Sequence, residues 1–321
     1  MEHIFNDWRT LMACIQIWFS GGDPYGPFPD PLRPGGMVPT GWHAYPPPSL
    51  LIAMPFAFLP WPLSSLLILA LSIIPFERWA RQTTQRTALP WIILWLPLMQ
   101  GIILGQTTLL FLVALLWAER FMTQGRDGRA GVLLALMMLK LQVGLLPAAW
   151  LLAVAIWKRR WHLPLSFALM SLLLWGGTAL IAGPQIYLHW FAALDGYAKL
   201  LPNRPLIFPP FGPILAAMAL LLWYRYGRTD IFGTTLLLHT LIYPLSVIYV
   251  ASALAAVVIR WNVRWPIYPL VLSWLPTFFP LVQHTPDTIA AMTQAIVATG
   301  LLTALLPQLP GPWRKHIEQT S

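Results

Sequence analysis

Long apolar runs, separated by short polar segments, fill most of the chain after residue 48. The runs cover residues 49–75, 88–118, 130–157, 163–183, 211–224, 231–259, 265–282 and 287–307. A helix needs about 20 apolar residues to cross a bilayer. The runs at 88–118, 130–157 and 231–259 carry prolines, glycines or polar residues near their middle, so each predicts a hairpin of two short half-helices. The turns are expected at 101–106, at 140–142 and near Pro244. The pattern predicts an all-α polytopic membrane protein with about eleven membrane segments.

Short or broken helices are tolerated in a membrane where they are buried in protein or line a cavity. The three hairpins therefore predict a cavity that faces outward and is floored by half-helices. Residues 1–48 precede the first apolar run and are predicted to form an outer loop. Within this loop the stretch from Leu11 to Phe19 is too short to span a membrane, and it predicts an amphipathic helix lying on the membrane surface.

Most of the 20 Lys and Arg residues fall in short clusters between the apolar runs. The clusters are Arg78/Arg81/Arg86, Arg120/Arg126/Arg129, Lys158/Arg159/Arg160, Arg225/Arg228, Arg260/Arg264 and Arg314/Lys315. Basic clusters next to spans mark cytoplasmic ends, so the amino terminus is expected outside and the carboxyl terminus inside. Membrane topology then explains the net charge of +9, and no nucleic-acid partner is required.

The composition is typical of an integral membrane protein. Hydrophobic residues make up 57% of the chain and charged residues 10%, against about 25% charged residues in soluble domains. We expect one multi-pass domain in the cell membrane: an outer segment at 1–48, membrane segments at 49–307 and a cytoplasmic tail at 308–321. Cys14 is the single cysteine, which excludes an internal disulfide, and no Cys/His cluster predicts a metal or another cofactor.

Several short motifs follow one another in a recognisable order. Asp7 precedes Gly-Gly-Asp-Pro-Tyr at 21–25 and Tyr-Pro-Pro-Pro at 45–48, and Gly105-Gln106 and Ala130-Gly131 through Lys140 come later. In this order and spacing the chain resembles glycosyltransferase family 87, from Asp7 to about Tyr249. The resemblance implies a GT-C fold and transfer of a hexose, in many members mannose, from a polyprenyl-phosphate carrier. The partners would be membrane lipids, the lipid-linked sugar as donor, and a lipid or glycan acceptor outside the cytoplasm.

The resemblance also assigns roles to individual residues. Asp7 matches the catalytic aspartate, which would act as the general base on the acceptor hydroxyl. Lys140, within membrane depth, is the first candidate for binding the donor phosphate, and Arg204 is the second. Gln106 is a candidate for binding a sugar hydroxyl. The simpler alternatives are a helix cap for Asp7, a lysine that snorkels to the interface for Lys140, and a capping residue for Gln106.

The sequence departs from the family pattern in two places. Tyr249 stands where the family often has a histidine that would share proton transfer, and His239 is a candidate to replace it. The family's first span, ahead of the aspartate, is missing, so either it is dispensable or the chain lacks the native start. These departures support an alternative, a catalytically degenerate GT-C-like subunit with a structural role in a larger membrane complex. A secondary transporter is the third hypothesis; it fits less well because no inverted repeat is apparent.

Overall fold

The computed structural model describes residues 4–33, 35–40, 45–200, 203–261, 267–278 and 285–305, and most of them are helical. The α-helices are α1 Asn6–Phe19, α2 Pro47–Ala57, α3 Trp61–Thr84, α4 Leu89–Leu94, α5 Leu96–Leu104, α6 Thr108–Thr123, α7 Asp127–Met137, α8 Leu145–Trp157, α9 His162–Ala182, α10 Gln185–Leu200, α11 Gly212–Tyr226, α12 Ile231–Ile242, α13 Ser252–Arg260, α14 Ile267–Leu272, α15 Leu275–Phe278 and α16 Pro286–Leu305. Two 3-10 segments, Met138–Val143 and Ile248–Ala251, precede α8 and α13. Two short strands, β1 Phe28–Pro29 and β2 Met37–Val38, pair antiparallel in the segment between α1 and α2. The predicted tail at 308–321 lies outside the described residues.

Helices are interrupted at all three turns that the sequence predicts. The axes of α5 and α6 meet at 120° around the turn at 105–107. The 3-10 segment between α7 and α8 leaves helical geometry at Lys140, with φ −138° and ψ 74°. After α12 the chain becomes extended at Tyr243, with φ −62° and ψ 133°, just before Pro244. Proline has no backbone N–H and clashes with the preceding helical turn, which accounts for the end of α12.

The first predicted span, at 49–75, is wrong as a single helix. Helix α2 ends at Ala57 and α3 begins at Trp61, with Leu59 and Pro60 between them. A proline disfavours helical backbone in the residue before it and lacks the N–H that would continue the helix. The 24-residue helix α3 is therefore the long element of this region, and α2 is a separate short helix.

Three helices of the described chain are long and apolar enough to cross a membrane: α3, α9 and α16. The bent pair α5 and α6 makes a fourth if it counts as one broken span. In the described part of the run at 265–282, α14 and α15 are short and separated at Ser273–Trp274, so no continuous spanning helix forms there. The protein is an all-α membrane protein, and the count of about eleven segments stays a prediction.

The largest core cluster joins the helices from α3 to α16. Its largest fully buried members include Phe76, Trp79, Trp95 and Leu112. A second cluster packs α1 against α2 through Trp8, with Leu11, Ile15 and Leu50 among its buried residues. Cys14, on another side of α1, packs with Phe28 and Val38 of the two strands.

Helix α1 is therefore covered by protein on two sides. The predicted helix exists, but its apolar residues face other parts of the chain, and its position at the membrane surface stays a prediction. This packing holds α1 against α2 and the two strands.

Charged contacts join the polar ends of several helices. Arg120 Nη1 lies 3.5 Å from the carbonyl oxygen of Gln82. Arg160 Nε lies 2.9 Å from Asp127 Oδ2. These contacts bring the predicted cytoplasmic clusters at 78–86, 120–129 and 158–160 to one end of the molecule.

Arg260 adds the later helices to the same end. Its Nη2 lies 2.9 Å from Glu119 Oε1 and its Nε 2.7 Å from Asp230 Oδ2. Asp230 also caps α12 by accepting a hydrogen bond from the N–H of Gly233. Arg264, Arg314 and Lys315 of the remaining predicted clusters lie outside the described residues.

Candidate active site

A cavity of about 700 Å³ lies where the first turn of α1 meets the turns of the three hairpins. Its polar lining includes Asp7, Gln106 and Lys140. The lining is completed by Tyr45, Pro46, Leu104, Met138, Leu139, Leu141, Gln142, Trp175, Trp190, Leu194, Tyr197, Ala198, Asn203, Tyr243, Pro244, Leu245 and Tyr249. The break in each predicted hairpin thus contributes to one wall, and α9 and α10 supply aromatic side chains on another.

Asp7 reaches this cavity from the first turn of α1. The backbone N–H of Phe5, just before the helix, donates to the carbonyl oxygen of Ile103 at 2.7 Å and so joins α1 to the end of α5. The cap residue of α1 is Phe5, and no side chain caps the helix by a hydrogen bond. The Asp7 carboxylate instead accepts a hydrogen bond from Nε2 of Gln106, so its role is not that of a helix cap.

Gly105 allows the turn between α5 and α6 to approach α1 this closely. Its φ of +72° lies in the left-handed region, where side chains are strained. A Cβ at this position would lie 2.7 Å from Cβ of Trp8 and 3.1 Å from Cα of Phe5. A glycine here is therefore required both by the backbone conformation and by the contact with α1, and it brings Gln106 within reach of Asp7.

Gln106 connects the acidic and the basic side chain of the cavity. Its Nε2 donates to Asp7 Oδ2, and its Oε1 accepts a hydrogen bond from Lys140 Nζ at 2.7 Å. This amide orientation places an acceptor at the ammonium group and a donor at the carboxylate, and the reverse orientation would satisfy neither. Asp7 and Lys140 are thus coupled through one side chain.

Lys140 is buried, with 7% of the residue exposed, although its side chain is ionisable. Its Nζ lies 3.1 Å from the Tyr45 hydroxyl and 3.2 Å from Thr107 Oγ1, in addition to the contact with Gln106. Thr107 Oγ1 in turn donates to the Tyr45 hydroxyl at 3.1 Å. An ammonium group has three N–H donors, so each has a protein acceptor. This is a packed and coordinated lysine rather than one that snorkels to an interface.

Aromatic rings surround the ammonium group. Lys140 Nζ lies 4.9 Å from the ring centroid of Tyr45 and 5.8 Å from that of Tyr249. Both distances are within the range of a cation–π interaction. Tyr249 of the third hairpin and Tyr197 of α10 also line the cavity. Trp175 and Trp190, with ring centroids 5.8 Å apart, form the wall beyond them.

The surroundings of Asp7 change its acidity. Burial raises the pKa of the Asp7 carboxyl above its usual value of 3.8, although the hydrogen bond from Gln106 and the charge of Lys140 oppose that rise. A carboxylate with a raised pKa is a stronger base than a solvated one. The arrangement can therefore accept a proton at Asp7 and can stabilise negative charge near Lys140.

The structure brings together four of the six predicted site residues. Asp7, Gln106, Lys140 and Tyr249 line the cavity, and Arg204 and His239 do not. Arg204 Nη1 forms an ion pair with Asp287 at 2.9 Å. His239 is buried with 3% exposure, and its ring packs against Tyr243 with centroids 5.1 Å apart.

Tyr45 and Thr107 are the site residues that the sequence analysis did not single out. Tyr45 belongs to the Tyr-Pro-Pro-Pro motif, and Thr107 follows the Gly-Gln motif, so both motifs carried a signal. Asp23 of the Gly-Gly-Asp-Pro-Tyr motif accepts a hydrogen bond from the N–H of Tyr25 at 3.0 Å, which is a turn contact. The Tyr25 hydroxyl donates to the carbonyl oxygen of Tyr45 at 2.8 Å and holds that residue in place.

Within the described ranges, no group of three or more His, Cys, Asp or Glu residues could hold a metal ion. The sequence model of glycosyltransferase family 87 matches residues 42–274, which is more than half of the chain. Tyr45, Gln106, Lys140 and Tyr249 fall inside this range, and Asp7 precedes it. Neither a curated protein nor a solved structure matches the chain.

Proposed function

Because the chain belongs to glycosyltransferase family 87, we propose that it transfers a hexose from a polyprenyl-phosphate carrier to a lipid or glycan acceptor outside the cytoplasm, with mannose the first sugar to test. The observation that carries this proposal is the pairing of a carboxylate and an ammonium group on one cavity wall. Asp7 and Lys140 are joined there through Gln106, in a membrane protein whose cavity is otherwise largely apolar.

The two charged groups suit the two ends of such a transfer. The acceptor oxygen forms a bond to the anomeric carbon and loses its proton to Asp7. The bond from the anomeric carbon to the phosphate oxygen breaks, and the phosphate leaves with the electron pair. A positioned base accelerates the first event, and the positive charge of Lys140 stabilises the charge that develops on the leaving oxygen.

The size and lining of the cavity support the same substrate class. Its volume of about 700 Å³ falls in the range of about 300–1,000 Å³ that is usual for small-molecule sites. Trp175, Trp190 and Tyr197 line the cavity and supply aromatic rings against which a sugar can pack. The outer surface of α9, with Leu172 69% exposed and Leu173 64% exposed, supports contact with lipid tails close to the cavity.

A membrane assay with a radiolabelled polyprenyl-phosphate hexose tests the proposal through Asp7→Asn. The substitution keeps the shape of the side chain and removes the proton acceptor, so transfer should fall by about 10²- to 10⁴-fold. Insertion and the amount of protein in the membrane should not change.

Asp195→Asn is the matched control, because Asp195 is exposed and pairs with Lys199 on the surface of α10. It should transfer sugar at the wild-type rate. Normal transfer by the Asp7→Asn variant would show that Asp7 is not the catalytic base. A wild-type protein that is inactive with every lipid-linked hexose would favour the structural-subunit alternative.

A further inference from the structure

The three N–H donors of the buried Lys140 ammonium group are all engaged by the protein. Their acceptors are Gln106 Oε1 at 2.7 Å, the Tyr45 hydroxyl at 3.1 Å and Thr107 Oγ1 at 3.2 Å. A phosphate oxygen that binds Lys140 through a hydrogen bond must therefore take the place of one of these acceptors. Which one it replaces decides what else changes in the site.

Gln106 is the acceptor that a molecule in the cavity can replace most directly. Its side chain lines the cavity, whereas Thr107 does not and is 5% exposed. The Tyr45 hydroxyl accepts from Thr107, and the backbone of Tyr45 is held by its contact with Tyr25. The Tyr45 ring also contacts the ammonium group at 4.9 Å and would keep Lys140 in place while Gln106 moves.

Movement of Gln106 has a second consequence, because its amide nitrogen donates to Asp7. On the basis of the proposed function, we propose that Gln106 is an interlock, a side chain that keeps two groups engaged until a ligand releases both. Its amide is hydrogen-bonded to Lys140 and to Asp7 until the donor phosphate displaces its carbonyl oxygen from Lys140. The same displacement frees the Asp7 carboxylate to accept the proton of the acceptor. Donor binding then precedes activation of the base.

The interlock assigns Gln106 a positioning role, and this differs from direct binding of a sugar hydroxyl. A phosphate ligand without a sugar separates the two roles. We would measure binding of farnesyl phosphate to the purified protein in lipid nanodiscs, for the wild type and for two substitutions of Gln106 that change the interlock in opposite directions.

Gln106→Leu has a similar size but no acceptor for Lys140, so one N–H becomes available and farnesyl phosphate should bind more tightly. We expect about a tenfold gain, which corresponds to about 1.4 kcal/mol. Gln106→Glu keeps an oxygen ligand and adds a negative charge, so it should hold Lys140 more firmly and weaken binding by a similar factor. Opposite shifts of the two variants would support the interlock.

Gln124→Leu is the matched control, since Gln124 is exposed at the end of α6 and does not line the cavity. It should leave binding within about twofold, a change of about 0.4 kcal/mol. Unchanged binding in both Gln106 variants would overturn the interlock in favour of sugar recognition, and weaker binding in both would overturn it in favour of a structural role. If the wild type itself does not bind farnesyl phosphate while it remains folded, the proposed function fails together with the interlock.

Discussion

Among single residues, Lys140 is the one whose charge the proposed mechanism uses twice. It faces the space where a phosphate would bind, and it also lowers the pKa of Asp7, against the larger opposite effect of burial. Both effects depend on one ammonium group that is held by Tyr45, Thr107 and Gln106. Replacing that group should therefore alter substrate binding and proton transfer together.

Lys140→Met tests this double role by the pH dependence of sugar transfer. Asp7 accepts a proton only when it is deprotonated, so activity is lost as the pH falls through its pKa. Without the positive charge the pKa of Asp7 rises further, and the acid limb of the profile should move to higher pH. The Michaelis constant for the lipid-linked donor should increase as well, because the phosphate loses its cationic partner.

Lys199→Met serves as the control for this measurement, since Lys199 is exposed and pairs with Asp195. It should leave both the profile and the Michaelis constant unchanged. An acid limb that stays in place in the Lys140 variant would show that the charge does not act on the catalytic base.

The sequence located Asp7, Gln106 and Lys140 because each stands next to a turn or in a motif with a known order. It could not reveal that Tyr45 contacts Lys140, since 95 positions separate them and only the folded chain brings them together. Arg204 was proposed for its position before a predicted span. Its ion pair with Asp287 is a long-range contact of the same unpredictable kind.

At the scale of elements, the site depends on how closely the turn between α5 and α6 approaches α1. Gly105 lies at that contact, with φ +72° and no room for a Cβ beside Trp8. Gly125 has nearly the same backbone conformation, with φ +74°, but a Cβ added there would meet nothing within 4 Å. The two glycines therefore separate backbone strain from loss of the contact with α1.

Gly105→Ala should both lower the thermal unfolding temperature and reduce sugar transfer by at least about tenfold, because the clash with Phe5 and Trp8 would displace α1, and Asp7 with it, from the cavity. Gly125→Ala should lower the free energy of unfolding only by the cost of placing an alanine in the left-handed conformation, about 1 kcal/mol. Its transfer activity should not change. Thermal unfolding in detergent and the membrane transfer assay measure the two effects. Equal loss of activity in both variants would contradict the contact-based explanation.

Prolines and glycines in the apolar runs made the helix breaks predictable, since both residues interrupt helices by known physical mechanisms. The same logic should have divided the run at 49–75 at Leu59-Pro60, where α2 ends and α3 follows. Helix α10 lies between the apolar runs at 163–183 and 211–224, where no membrane segment was predicted. Its aromatic and polar residues gave no long apolar run, and only in the folded chain do Ile186 and Ala193 pack with α1 and α2.

At the scale of the whole molecule, the charges divide the protein into two ends. Arg120, Arg160 and Arg260 join the predicted cytoplasmic clusters through contacts with Gln82, Asp127 and Glu119. The hairpin turns at 101–106, at 140–142 and near Pro244 meet instead at the cavity. Under the positive-inside rule the basic clusters lie on the cytoplasmic side. The cavity, at the other end, would then face away from the cytoplasm.

Single-cysteine labelling tests that direction. The natural Cys14 is fully buried, so it should give little background. A membrane-impermeant maleimide should label Asp195→Cys in intact cells, because Asp195 is exposed on α10 beside the cavity. Arg159→Cys, in the cluster after α8, should be labelled only after the membrane is permeabilised. The reverse labelling pattern would show that the cavity faces the cytoplasm.

The proposed donor is a lipid-linked sugar, and turnover by the purified wild-type protein with defined donors is the decisive test. The protein would be reconstituted in nanodiscs with polyprenyl-phosphate mannose, or with a nucleotide-activated mannose as the alternative donor, and a membrane lipid extract as the source of acceptor. We predict that mannose is transferred only from the polyprenyl phosphate, with one polyprenyl phosphate released for each sugar transferred. Transfer from the nucleotide sugar, or no turnover with any polyprenyl-phosphate hexose, would rule out a lipid-linked hexose as the donor.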